Sequence, residues 1–396
     1  MKEILLFTCV INFLISCSGQ DNGIPEPSGR YITGVSYLTF IDSSRKELFD
    51  NEGKKYRELT IKVWYPADKR TKNELYLENP EMLIKNFGFT ETYRNLNTNS
   101  SRGIPVSSVE PLYPVLLYSH GWGEHFSQNT ILAEELASNG YIVFSIAHHY
   151  ECKFSFYPDG RFITFDNNSD RFNRLIKEQM NPAAMEIFKE MTTASNDNER
   201  TTIFIKTNNT MPVLMKGSSA YWADDTKFFL NELERINKSD TIFKGKLNLN
   251  RIGVLGMSMG GIAANEICLT DSRVKAGLNI DGALYGSAIN GNLKIPYLFL
   301  NSQRYLGYGN LFTNRGTNHC YSVTVRNSDH YNFTDYALFP VRNLNQIGPV
   351  DPAIPLKALN RIAVLFFDKY LRDKGNIDIA IACERFDVEY VSNVHK

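Results

Sequence analysis

Apolar runs that alternate with helical stretches from residue 114 onward predict an α/β fold: a mostly parallel central sheet, helices on both faces, and an inserted cap-like segment. Three observations carry this. The runs 114–119 (PVLLYS) and 141–147 (YIVFSIA) are apolar throughout, as strands buried on both faces are. Between them, 128–139 shows helical spacing in Ile131, Leu132 and Leu136, and Gly140 follows as a C-cap signal. The three make a β-α-β unit, which implies parallel strands and a right-handed crossover.

At the N-terminus, Met1-Lys2 precedes an apolar run over 4–15 broken only by Thr8 and Asn12. It is shorter than the roughly 20 residues a bilayer span needs, and it reads as the apolar region of a signal peptide over 1–17. The segment ends Leu14-Ile15-Ser16-Cys17, similar to a bacterial lipobox with Ser16 where Gly or Ala is usual. Lipidation at Cys17 is expected, giving an exported, membrane-anchored lipoprotein that faces periplasm or cell surface. Residues 18–29, polar with Gly and Pro, read as a flexible tether. The remainder, 30–396, reads as one domain.

Within it, 31–40 and 58–65 carry the β-branched and aromatic patterning of strands. The Asn/Ser-rich stretch 70–110 reads as an irregular excursion with a weak helix near 81–87. Residues 151–217 interrupt the alternation and read as an insertion over the sheet: a hairpin around Pro158-Asp159-Gly160, then a helix over 171–193. That insertion is either a structural cap or a wall of the substrate pocket. Alternation then resumes, with helices over 221–237, 259–269 and 356–371 and strands over 251–255, 274–280, 297–300 and 321–325.

Composition narrows the function classes. Apolar residues make up 43% of the 396, enough for a sizeable core, and the 43 Lys plus Arg balance the 43 Asp plus Glu. A zero balance leaves no electrostatic footprint for nucleic acid or for an anionic membrane surface. Cys152, Cys268, Cys320 and Cys383 are widely spaced, with no metal-site spacing; disulfides and buried free thiols both fit them. No metal or organic cofactor is called for.

Gly256-Met257-Ser258-Met259-Gly260 matches G-x-S-x-G, directly after the strand ending Val254-Leu255 and directly before the small-residue helix Gly261-Ile262-Ala263-Ala264. That strand-turn-helix context marks the nucleophile elbow of an α/β-hydrolase, with Ser258 as nucleophile. The turn is sharp enough to require positive φ at the serine, and side chains at 256 and 260 would collide. A serine hydroxyl needs a base to take its proton, and in this fold acid and His follow in that order. Asp281, just past the strand 274–280, is the candidate acid, ahead of Asp329 and Asp335. His330, in the loop leaving the strand 321–325, is the candidate base; His319 precedes that strand and belongs at the opposite edge.

The oxyanion needs donors aimed where its charge develops. One candidate is the N–H of Met259. The other is the N–H of Trp122 in Ser119-His120-Gly121-Trp122-Gly123, an H-G-x-G loop right after the strand 114–119. Phe126, His148, Tyr331 and Phe333 are the candidates for lining the substrate pocket, and the aromatic ones would favour an apolar acyl group.

Taken in order from residue 113 to 333, these motifs resemble the platelet-activating-factor acetylhydrolase family: the 118–123 loop, the strand 141–147 followed by His148, the elbow, Asp281, and His330-Tyr331-Asn332-Phe333. The chain departs from the family after Ala147, where His148-His149-Tyr150 replaces a charged tetrad, and the insertion has no clear counterpart. The resemblance implies metal-independent hydrolysis of short or modified acyl esters, with a small-molecule or lipid ester as partner. Two alternatives stand beside it. A serine peptidase of the same fold would need a clamp for a peptide N-terminus, which the sequence does not show. A catalytically idle surface lipoprotein that binds lipid or glycan would lack one of the three residues, and none is missing.

Overall fold

The computed structural model describes residues 23–394 apart from 51, 180–181, 211–212, 284–285, 287–290, 307–308, 311–312 and 314–318. The signal segment 1–17, with Cys17, lies outside the described residues.

Among the described residues, one sheet of 11 strands organises the fold, in the order β13-β12-β11-β10-β9-β5-β6-β2-β1-β4-β3. The strands are β1 (Ile32–Lys46), β2 (Tyr56–Ala67), β3 (Asn73–Leu75), β4 (Asn97–Arg102), β5 (Tyr113–Ser119), β6 (Ile142–Ala147), β9 (Leu247–Met257), β10 (Val274–Ile280), β11 (Tyr297–Ser302), β12 (Cys320–Val325) and β13 (Val388–Ser392). A separate hairpin pairs β7 (Phe154–Phe156) with β8 (Phe162–Thr164). The run β6-β5-β9-β10-β11-β12 is parallel throughout. On one side β2 pairs antiparallel with β6 and β1 antiparallel with β2; on the other, β13 pairs antiparallel with β12.

The helices are α1 (Pro80–Asn86), α2 (Thr130–Ser138), α3 (Asp170–Gln179), α4 (Pro182–Thr193), α5 (Asp197–Thr210), α6 (Val213–Ser239), α7 (Met259–Thr270), α8 (Ala353–Leu371) and α9 (Ile379–Cys383). Two apolar layers sandwich the sheet. Trp222, Phe229 and Leu233 of α6 and Ile262 and Ile267 of α7 pack on one face. Leu132 and Leu136 of α2 and Leu359, Ile362 and Phe366 of α8 pack on the other. Because both faces are covered, β5 and β6 are buried at every position, which is why they are apolar without alternation.

Three expectations are corrected. Residues 23–29 are not a flexible tether. Ile24 is buried and its N–H donates to Asn97 O at 3.0 Å, while the Ser28 and Gly29 amides donate to Glu135 and Ser138 of α2. The stretch 70–110 is not an irregular excursion either: β4 joins the sheet parallel to β1, and Tyr76, Leu83, Phe89 and Tyr93 form a third apolar cluster. The predicted helix over 171–193 is two helices, α3 and α4. Pro182 lacks an amide hydrogen and suits the first position of a new helix rather than a helix interior.

The four cysteines of the domain, Cys152, Cys268, Cys320 and Cys383, are free and buried. No helix among the described residues is long and apolar enough to cross a membrane.

Candidate active site

Ser258 stands between the end of β9 and the start of α7 with φ 55° and ψ −118°, a conformation few non-glycine residues adopt. Its N–H donates to Ile280 O at 2.8 Å, tying the elbow to the end of β10. A Cβ at Gly256 would lie 2.3 Å from the backbone of Gly260, as the expected collision requires. At Gly260 the obstacle is different: a Cβ would lie 2.0 Å from Ser119 O. The first turn of α7 therefore presses against the end of β5, and that contact is what demands the second glycine.

The pairing of Met257 with Ile280 places Ser258 and Asp281 one residue past neighbouring strand ends. Asp281 also has positive φ, at 50°. Its Oδ1 accepts from Ser302 N at 2.6 Å, and its Oδ2 lies 2.6 Å from His330 Nδ1. The backbone bond fixes one carboxylate oxygen and leaves the other for the imidazole. The Asp281 side chain is fully buried and that of His330 is 13% exposed, so the ring reaches the surface at the rim while its partner stays dry. Among the described residues no hydrogen bond joins the Ser258 hydroxyl to the imidazole. Of these three side chains, Asp281 and His330 are the two in hydrogen-bond contact.

The neighbouring candidates have other roles. Asp329 accepts from His330 N at 2.7 Å and grips Arg304 at 2.7 and 2.9 Å, capping the short turn that carries the histidine. Asp335 is buried and accepts from Tyr76 Oη at 2.9 Å. His319 is exposed, before β12, with Nδ1 2.8 Å from Tyr370 Oη.

Beyond β5 the loop 120–123 borders the elbow: a Cβ at Gly121 would stand 3.5 Å from Ser258 Cβ. The Gly121 amide donates to Gln128 Oε1 at 2.6 Å and that of Gly123 to Glu151 O at 2.9 Å. The Trp122 amide between them takes no acceptor among the described residues, and neither does that of Met259 at the head of α7. The loop and the helix terminus thus leave two uncommitted donors beside Ser258.

Of the pocket candidates, Tyr331 stays at the rim, its ring 5.3 Å from that of His330. The other three are corrected. Phe333 is fully buried in the core beneath the turn. Phe126 is buried, its ring edge-on to that of Tyr37 of β1. His148 is buried with both ring nitrogens engaged: Nδ1 lies 2.8 Å from Asp225 Oδ2 and Nε2 3.1 Å from Ser119 Oγ, and its ring stacks on Trp222 at 4.0 Å.

Residues that the sequence did not single out take part instead. Phe165 and Phe172 of the insertion meet the Trp122 ring at 5.0 and 6.3 Å, so the insertion reaches the loop 120–123 directly. The Tyr305 ring lies 6.3 Å from that of His330. Behind the loop, Arg57 is buried with its guanidinium on Asp225 at 2.6 and 3.1 Å and on Glu47 at 3.0 Å. Burial alone would raise the Asp225 carboxyl, but the Arg57 charge and the His148 hydrogen bond hold it far below the usual carboxylate range. The phenylalanines could have been suspected as apolar residues in a polar insertion; Arg57 and Asp225 carry no local signal.

The strained serine turn between β9 and α7, beside the Asp281–His330 contact at the ends of a mostly parallel sheet, places the molecule in the α/β-hydrolase class. The chain belongs to the platelet-activating factor acetylhydrolase, isoform II, family, whose profile matches residues 16–210 and 225–384. It is 21% identical to a platelet-activating factor acetylhydrolase of Bos taurus over 384 residues, which covers 90% of this chain and 79% of that one. Over 102 residues, 24% of this chain and 22% of the other, it is 35% identical to a probable 1-alkyl-2-acetylglycerophosphocholine esterase of Arthroderma benhamiae. A ferulic acid esterase from Streptomyces cinnamoneus superposes with TM-score 0.68 at 21% identity, covering 93% of this chain and 99% of that one. At that identity the likeness shows the fold.

Proposed function

We propose that the protein hydrolyses carboxylic esters of short or modified acyl chains, lipid esters among them, through an acyl-enzyme on Ser258. The observation that carries this reading is the 2.6 Å contact between Asp281 Oδ2 and His330 Nδ1 at the rim where Ser258 stands in its strained turn. His330 Nε2 takes the hydroxyl proton as Oγ attacks the ester carbonyl. The Trp122 and Met259 amides hold the oxyanion. Collapse expels the alkoxide, which leaves with the proton from His330. Water then repeats the sequence on the acyl-enzyme, releasing the acid and restoring Ser258. Asp281 keeps the imidazole in the Nδ1–H tautomer and stabilises its cation. The rings of Trp122, Phe165, Phe172, Tyr305 and Tyr331 give the rim an apolar, aromatic character that suits an acyl group.

The test has two parts. A fluorophosphonate probe should label the wild type and not Ser258→Ala; labelling that survives the substitution would refute the assignment. A p-nitrophenyl ester series from acetyl to palmitoyl should give its highest kcat/KM at the short end. A maximum at palmitoyl would leave the serine mechanism and remove the short-chain preference.

A further inference from the structure

The amide assigned to the oxyanion hole is part of a peptide whose other end is held from behind. Gly121 O accepts from Glu124 N at 3.0 Å and lies 2.7 Å from His120 Nδ1. The far ring nitrogen of His120, Nε2, accepts the backbone N–H of His148 at 3.1 Å. An N–H donor can only be met by a bare nitrogen, so Nε2 is unprotonated and the proton of a neutral ring sits on Nδ1. Burial, and then the neighbouring His148, push the His120 imidazole down to about 3, which keeps the ring neutral. His120 Nδ1–H therefore donates to Gly121 O.

There are no cis peptide bonds among the described residues. In a trans peptide the C=O and the following N–H point in opposite directions. Drawing Gly121 O back toward His120 turns the Trp122 N–H the other way, out of the buried layer. His148 is in turn fixed by Asp225 and Ser119, and Asp225 by Arg57, so the chain of contacts runs from the oxyanion loop into a buried ion pair.

We infer that His120 is the positioning residue of the oxyanion hole: locked in its Nδ1–H tautomer by the His148 amide, it sets the Gly121–Trp122 peptide so that the Trp122 N–H faces the reacting carbonyl. This rests on the Ser258 mechanism proposed above.

Two substitutions separate positioning from packing. Asn places an amide N–H near the former Nδ1, so His120→Asn keeps the donor to Gly121 O. Gln reaches the Nε2 position and leaves Gly121 O without its side-chain donor. Each variant is assayed on p-nitrophenyl acetate and on its thiono counterpart, whose sulfur is a poor hydrogen-bond acceptor. A single oxyanion donor is commonly worth about 10²–10³ in rate. His120→Gln should lose about tenfold or more in kcat on the oxo-ester, with a smaller loss on the thiono-ester and KM within about threefold, while His120→Asn stays near wild type. Equal losses in both variants, or an unchanged oxo/thiono ratio, would overturn the inference. Ring ¹⁵N shifts of the unmodified protein give a reading independent of folding: a protonated Nδ1 and bare Nε2 at His120 between pH 5 and 8 are expected, and an Nε2–H tautomer overturns it. Ser258→Ala separates the two levels. Ester hydrolysis that persists in that variant removes the underlying mechanism, whereas an inactive Ser258→Ala beside indistinguishable His120 variants removes the positioning role alone.

Discussion

The Asp281 carboxylate and the His330 imidazole meet at 2.6 Å across a separation of 49 residues, one past the end of β10 and the other in the turn after β12. The opposite oxygen of Asp281 is occupied by Ser302 N, so the carboxylate has one orientation. Asp281→Asn tests what that orientation does. The amide can still accept from Ser302 N, which preserves the turn, but it presents an N–H donor toward His330 Nδ1. The imidazole then settles with its proton on Nε2 and cannot accept the serine proton. We expect kcat to fall about 10³–10⁴-fold, with KM and Tm close to wild type. A loss under about tenfold would mean that Asp281 does not set the tautomer.

Gly260→Ala addresses the approach of α7 to β5. The added Cβ would lie 2.0 Å from Ser119 O, a backbone atom at a fully paired strand end. Neither side can yield without moving the elbow or the loop 120–123. A loss of roughly 2–4 kcal/mol in urea unfolding is expected, together with nearly complete loss of esterase activity. An Ala variant with an unchanged urea midpoint would contradict the close approach.

The parts of the molecule legible in the sequence are those where one physical demand acts on consecutive residues. β5 and β6 are buried on both faces and so are apolar throughout, and the elbow writes its steric limits as Gly256 and Gly260. β4 leaves no apolar signature in the sequence because it is a buried polar strand. Its sequence NTNSSR has no apolar face, and Glu134 of α2 accepts from Asn99 N and Ser100 Oγ to make that burial tolerable. Residues 23–29 look like a linker for the same reason: their backbone is held by side chains of α2 that lie over 100 residues away. Phe126, Phe333 and His148 suggest a pocket role only through their closeness in sequence to the loop 120–123, His330 and β6. Strand and turn geometry then sends each of them into the interior. Nothing local marks Asp225 as the partner of His148, because that pairing exists only once α6 packs on the sheet.

The buried pair of Arg57 and Asp225 should be costly to break from one side. Both side chains are fully buried, and removing one leaves the other charge in the interior with incomplete compensation from Arg45 or Glu47. Arg57→Met is expected to cost about 3–5 kcal/mol in chemical denaturation. The double variant Arg57→Met/Asp225→Leu should cost clearly less than the sum of the single variants, because it removes both charges together. Strict additivity in the double-mutant cycle would show that the two groups are not coupled.

Glu134 supplies a pH dependence of stability with a definite sign. Its carboxylate is fully buried beneath β4, and burial raises its pKa from 4.5 to about 7 against the opposing hydrogen bonds of Ser100 and Asn99. The unfolded chain releases this proton near the ordinary carboxylate value, whereas the folded protein holds it to about neutrality. Between those two values the native state therefore binds more protons than the unfolded state, and stability falls as pH rises. The group's contribution is fully present below about pH 4.5 and lost by pH values above 7, with a limiting slope of about 1.4 kcal/mol per pH unit. Glu134→Gln removes the titration while its carbonyl can still accept from Asn99 N and Ser100 Oγ. Other groups titrate in the same range, so the measurement is the difference in unfolding free energy between wild type and Glu134→Gln from pH 4.5 to 8. That difference should shift in favour of the Gln variant as pH rises through 7. A flat difference, or one that shifts toward the wild type, would mean that the donors of β4 hold the carboxylate charged against the cost of burial.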